Sequence, residues 1–131
     1  MIQPPSLDLA AVGNSSIAAL LDRNGTIVWA CWPRLDGDPV FCALVDGNEP
    51  DAGYFSIGFD DEATTAQAYV RSTAIVRTVV TAASGASFSI TDFAPRFRQH
   101  GRTFRPTMLI RRVEPLTGLC RIRVRIRPRM D

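Results

Sequence analysis

From Cys120 to Arg129 the chain alternates without a break between small or apolar side chains and arginine. Cys120, Ile122, Val124 and Ile126 interleave with Arg121, Arg123, Arg125, Arg127 and Arg129. Successive side chains of a β-strand point to opposite faces, so a strand separates the two sets completely. On a helix the same arginines would surround the axis and leave no apolar stripe. The even set is therefore expected to face a core. The odd set forms an arginine row on the opposite sheet surface, paired with acids of neighbouring strands or set against another domain.

The same period of two runs through most of the chain, and long helical patterns are absent. Ser16 to Leu21 reads as a strand, Asp22-Arg23-Asn24-Gly25 as a tight turn, and Thr26 to Trp32 as the returning strand. Asn-Gly suits such a turn because both residues accept positive φ at low cost. Pro33 to Pro39 is a loop, and Val40 to Val45 reads as one short helical turn ended by Asp46-Gly47-Asn48. Strands are expected at Gly53 to Phe59, Thr64 to Arg71, Thr73 to Ala82 and, after the Ser84-Gly85 turn, Ala86 to Phe93. Pro95 to Pro106, with four arginines and His100, reads as a long exposed loop. Met108 to Val113 and Leu119 to Arg127 follow as strands around a Leu116-Thr117-Gly118 turn. About eight short strands with turn signals between them indicate one all-β domain over residues 1–131, an antiparallel β-sandwich.

Composition narrows the function classes. Hydrophobic residues make up 46% of the 131, enough for one core, and the formal net charge is only +2. That balance excludes a disordered polyelectrolyte, and the arginine row lacks the interleaved aromatics that stack bases, so no nucleic-acid partner is expected. All 15 basic side chains are arginine. Neither a secretory leader nor a run of about 20 apolar residues is present, so neither export nor a membrane is expected and the setting is cytoplasmic. Cys31, Cys42 and Cys120 show no metal-ligand spacing and there is one histidine, which leaves no zinc site and no cofactor.

Several short runs, in one register from about Leu7 to Asp131, are similar to a known family. Gly13-Asn14 and Ile17 to Trp29 resemble the opening of bacterial and archaeal proteins of glycoside hydrolase family fifteen. Cys31-Trp32-Pro33-Arg34-Leu35-Asp36, then Pro39-Val40-Phe41 and Leu44-Val45-Asp46, resemble that family's Trp-x-Cys-Phe-Pro-Arg-Phe-Asp-Ser-Pro segment and its continuation. Gly53 to Ile57, Gln67-Ala68-Tyr69, Thr91 to Arg96, Arg111 to Glu114 and Arg125 to Arg129 extend the match. Trp32 and Leu35 stand where the family tends to have Phe, and Gly37-Asp38 replaces its Ser-Pro. The resemblance implies the front part of a trehalase-like amino-terminal sandwich, of the supersandwich type, in a glucoamylase-, glucodextranase- or trehalase-like protein. It also implies an (α/α)6 barrel with two catalytic glutamates in the parent, cleaving with inversion across carboxyls about 6.5–9.5 Å apart. The three glutamates here, Glu49, Glu62 and Glu114, lie in none of the barrel's motifs. No catalytic residue is assigned to this chain.

The loop from Trp32 to Phe41 is the candidate site. Aromatic faces stack on sugar rings and a planar guanidinium donates paired hydrogen bonds, so Trp32, Arg34, Asp36 and Phe41 are expected to touch the parent's barrel or its substrate. The expected partners are that barrel and an α-glucan or trehalose. The alternative is a free-standing carbohydrate-binding or oligomerising module. Asp36 and Asp38 read equally as turn formers. Asp92 is expected to pin the Pro95-Arg96 turn or to pair with an arginine, Trp29 and Cys31 to sit in the core, and His100 to have no catalytic role. A partial sheet exposes an edge, and exposed edges pair with other chains, so a homo-oligomer through that edge is expected.

Overall fold

The computed structural model describes residues 9–32, 34–36, 38–46 and 52–128. Strands β1 (Ala10–Gly13), β2 (Ala18–Leu21), β3 (Ile27–Cys31), β4 (Pro39–Phe41), β5 (Tyr54–Phe59) and β12 (Ile122–Arg127) form one antiparallel sheet. Its order is β1-β2-β3-β5-β12, with β4 beside β3. The second sheet has the order β11-β8-β7-β6, from β6 (Ala63–Tyr69), β7 (Val76–Ala82), β8 (Ser87–Phe93) and β11 (Ile110–Thr117). β9 (Phe97–Gln99) and β10 (Arg102–Phe104) make a separate two-stranded arm, and α1 (Ala43–Asp46) is one helical turn. The all-β antiparallel sandwich expected from the alternation is the architecture observed. Among the described residues no helix is long and apolar enough to cross a membrane.

The inward residues of the two sheets meet in two clusters. Val12, Ala19, Leu21, Ile27 and Ala30 pack against Val76, while Ile57 packs with Val80, Phe88 and Ile90. Fully burying side chains such as Leu21, Ile27, Phe88 and Ile90 contributes about 1.5–3 kcal/mol each. Phe59 adds an edge-on ring contact to Phe88 at 5.0 Å.

Polar bonds fix how the sheets sit on each other. The Asp22–Thr26 turn is closed by Asp22 N donating to Thr26 O (2.9 Å) and Gly25 N donating to Asp22 O (3.0 Å). Gly25 has φ +76, and a Cβ there would lie 3.3 Å from Thr78, so only glycine suits it. The turn inserts against the second sheet: Gln67 Nε2 donates to Asp22 O at 2.9 Å and to Thr78 Oγ1 at 3.1 Å. Arg111 completes the joint. Its Nε donates to Asp92 Oδ1 at 2.6 Å, Nη1 to Phe55 O at 3.0 Å and Nη2 to Gly25 O, and its guanidinium lies 4.7 Å from the Phe55 ring centre. Side chains of Arg111 and Asp92 are 3% and 0% exposed.

Several expectations are corrected. Pro95 to Pro106 is the β9–β10 arm rather than a loop, with Phe97 and Phe104 stacked at 5.5 Å. Val40 to Val45 divides into the end of β4 and the start of α1. Strand β1 went unread because Ala10-Ala11-Val12-Gly13 is short and carries no polar alternation. β11 runs on through Leu116 and Thr117, so the chain turns at Gly118, φ +72. Trp29 is only half-buried: the β2–β3 pairing shifts register between Leu20 and Leu21, and Ile27 and Ala30 take the core positions. Cys31 is likewise half-buried, whereas Cys42 is buried. Asp92 pairs with Arg111, and Asn14 pins Pro95. In β12 the even residues do face inward, opposite Ile57 and Phe55. Only Cys120 and Ile122 are covered, however; Val124 and Ile126 are 51% and 55% exposed because the second sheet does not extend over them. Gly47, Asn48, Glu49 and Arg129 lie outside the described residues.

Arg111→Met leaves the Asp92 carboxylate buried without its cation, and breaking such a pair costs about 3–5 kcal/mol. The Arg111→Met/Asp92→Leu double variant removes both charges and recovers much of that loss. Urea unfolding measures both; a loss no larger than that of the exposed Arg112→Met would contradict the clamp.

Candidate functional site

The loop after β3 carries three of the four expected site residues, each of them exposed. Trp32 is 37% exposed at the end of β3, and Arg34 Nη2 donates to Asp36 Oδ2 at 2.9 Å with both side chains in solvent. An exposed pair of this kind contributes at most about 1 kcal/mol, so it shapes the loop more than it stabilises the fold. Leu35, between them, is half exposed. The fourth residue parts from this group. Phe41 leaves the loop on β4, opposite Ala30, and packs on the first core cluster with its ring 6.2 Å from Phe55. Trp32, Arg34 and Asp36 thus offer a flat aromatic and hydrogen-bonding groups outward, whereas Phe41 faces the protein. Pro33 and Gly37 lie outside the described residues.

A second feature was not legible in sequence. β3 meets β5 only at Ile27 and Phe55, so the rest of β5 stands apart from the Asn24 turn. The gap holds a groove of about 440 Å³ bordered by Asn24, Thr26, Asp60, Asp61, Arg123 and Arg125, with Ile57 and Val80 toward the core. On its border Arg123 Nε donates to Asp60 Oδ1, just past the end of the neighbouring β5, at 2.8 Å. Its rim offers amide, hydroxyl, carboxylate and guanidinium groups to a polar molecule, but Asp60 is already tied to a cation. Among the described residues no group of three or more His, Cys, Asp or Glu could hold a metal ion.

Burial raises two carboxyls, those of Asp92 and the half-buried Asp22, and both serve the fold. Burial pushes Asp92 above its ordinary value against the hydrogen bond and charge of Arg111. Burial likewise raises Asp22, while the Thr26 and Asn24 amides and the Arg111 charge pull it down. Both amides donate to Asp22 Oδ1, at 3.0 and 2.9 Å.

Asn14 is the other residue that sequence reasoning passed over. It is buried, and its Nδ2 donates to Pro95 O (2.9 Å) and Pro106 O (2.7 Å), while Oδ1 accepts from Ser16 N (3.0 Å) and Ile17 N (3.2 Å). One amide thus holds both ends of the β9–β10 arm, and Ser16 Oγ donates to Arg105 O beside it. The only local signal was the Gly13-Asn14 pair before a strand.

A family model described as "Trehalase-like, N-terminal" matches residues 3–131. Over 63 residues, 47% of this chain, the sequence is 43% identical to Trehalase 1 of Sulfolobus acidocaldarius. Over 87 residues, 64% of this chain, it is 32% identical to a trehalase of Thermoplasma volcanium. The matched stretches span 11% and 14% of those relatives' lengths. No solved structure matches.

Two outcomes follow from this geometry. Asn14→Asp sets a carboxylate against two carbonyl oxygens and costs about 1–3 kcal/mol or more; trypsin then cuts after Arg96, Arg98 and Arg102 faster than in the unaltered chain. Equal cutting rates would show that Asn14 does not hold the arm. Asp22→Asn keeps an oxygen for both amides without a buried charge, so at neutral pH it is as stable as the unaltered chain or more stable. A carboxyl raised by folding stabilises most at low pH and loses that contribution as pH rises from its ordinary 3.8 through the raised value. The advantage of Asp22→Asn therefore shrinks on acidification; urea unfolding at neutral and acid pH would reveal an advantage that grows instead.

Proposed function

The chain belongs to the trehalase-like N-terminal domain family, and on that footing we propose that it is the non-catalytic amino-terminal module of a family-fifteen-type glycoside hydrolase acting on α-glucosidic bonds. What supports the reading is the match over residues 3–131 to the trehalase-like N-terminal family, together with the engagement of Asp22 and Asp92 in holding the fold. Hydrolysis of a glycosidic bond needs two carboxyls placed on either side of it; here that pair belongs to a helical barrel elsewhere in the parent protein. The module packs on the barrel and shapes its mouth, and Trp32, Arg34 and Asp36 are the groups it presents there. Phe41 supports that loop from the core side. The three cysteines form no disulfide with one another, which suits a cytoplasmic setting that keeps thiols reduced.

A second reading is favoured by the exposed Trp32 beside the Arg34–Asp36 pair: a sandwich that binds the sugar itself. One set of measurements separates the two. On the first reading the chain releases no glucose from trehalose above the buffer rate, and calorimetry with trehalose or a linear α-glucan gives no heat, with or without Trp32→Ala and Arg34→Ala. Sugar binding that these substitutions abolish, with the unfolding midpoint unchanged, transfers the site to the module. Glucose release by the chain alone refutes a non-catalytic role.

A further inference from the structure

The second sheet ends on β6, a mid-chain strand that pairs with β7 on one side and with no described strand on the other. Such an edge leaves alternate backbone N–H and C=O groups as a template for another strand, and proteins guard it with charges, proline or shortness. The other outer strands carry such guards. β1 has four residues, and Ala11 N already donates to Tyr69 Oη at 2.9 Å. β11 carries Arg111, Arg112, Glu114 and Pro115, and β12 carries Arg123, Arg125 and Arg127. The seven residues of β6, Ala63 to Tyr69, include no charge, proline or glycine. Thr65 and Gln67 lie opposite the buried Val80 and Thr78, so Thr64, Ala66 and Ala68 form the outward row, which is small and exposed. Opposite charges flank the strand. Asp61 and Glu62 precede it and Arg71 follows it; all three are exposed and form no ion pair among the described residues.

We propose that the free edge of β6 pairs antiparallel with β6 of a second copy, joining the second sheets of the two copies into one continuous sheet. A two-fold axis through Ala66 makes the contact the same patch on both copies and keeps the core-facing rows on one side. It sets Ala66 against its own counterpart, Thr65 against Gln67, Thr64 against Ala68 and Ala63 against Tyr69. None of these pairs opposes like charges, which would repel. Carried past the strand ends, the same register sets Arg71 of each copy against Asp61 of the other. Moving the axis to Thr65 or Gln67 sets Arg71 against Phe59 or Ala63 instead. A second copy of this sequence thus supplies the acid that each Arg71 lacks, and that self-complementarity identifies the occupant. One short edge makes a contact below the size of most stable interfaces, so the dimer dissociates on dilution.

Sedimentation velocity over a range of micromolar concentrations, with amide hydrogen exchange at the concentrated end, tests the pairing. The unaltered chain passes from monomer to dimer as concentration rises, and amides of β6 slow in the dimer while those of β12 do not. Ala66→Lys, an exposed change that opposes two ammonium groups, weakens the dimer at least about tenfold and leaves exchange of β8 as it was. Arg71→Asp and Asp61→Arg each weaken it too, since each opposes like charges at both ends. Mixed together, these two variants dimerise at least about threefold more tightly than either alone, because in the mixed pair each end again joins an acid to an arginine. A chain that stays monomeric throughout, a dimer that ignores Ala66→Lys or protects β12 instead of β6, or a mixture no tighter than its components overturns the proposal.

Discussion

The guanidinium of Arg111 is where the two sheets become one domain. It projects from β11, an edge strand of the second sheet, and bonds to Asp92 on its own sheet, then to the carbonyls of Phe55 and Gly25 on the other. Five N–H groups in a rigid fork can serve a carboxylate and two carbonyls at once; an ammonium on a flexible stem offers no such fixed geometry. Burying a charge is costly unless it is paired and its hydrogen bonds are met, and here Asp92 meets that demand. Apolar contact alone lets sheets slide, because it has no direction. The Arg111 bonds have direction, and with Gln67 they set the turn after β2 at one place against β7 and β8.

That joint also determines what is left open. With β5 held over β11 by the Arg111–Phe55 contact, the next strand of the first sheet, β12, overhangs. Its covered end packs against Phe88, and its remaining inward residues meet no counterpart. The same offset separates β5 from the Asn24 turn and opens the polar groove bordered by Arg123 and Arg125. The Trp32 loop stands apart from both features, extending beyond β3 with Phe41 anchoring its return on β4. The surface thus carries the exposed loop after β3 and, apart from it, the half-exposed Val124 and Ile126 of β12.

Much of the fold was legible because its signals are local. Period-two alternation identified β2, β3, β5, β6, β7 and β8 to within a few residues, and Asn24-Gly25 identified the hairpin turn through its need for positive φ. The arm was misread because Phe97 and Phe104 are enclosed by arginines and polar residues, so the segment has no apolar face of its own; stacking of the two rings and the Asn14 bonds hold it. Phe41 was read as part of the loop from its neighbours in sequence, but its side chain follows β4 inward.

The sequence alone determined that β12 has an apolar and a cationic face, since strand geometry leaves no other arrangement. It also carried the ordered motifs that place the chain in its family. It did not determine which faces are covered. Coverage depends on contacts between distant residues, such as Arg111 with Gly25, 86 positions apart, and Asn14 with Pro106, 92 apart. Those contacts exist only once both sheets have formed and met, so tertiary structure decided that Asp92 is a buried partner of Arg111 and that Val124 and Ile126 face inward without cover.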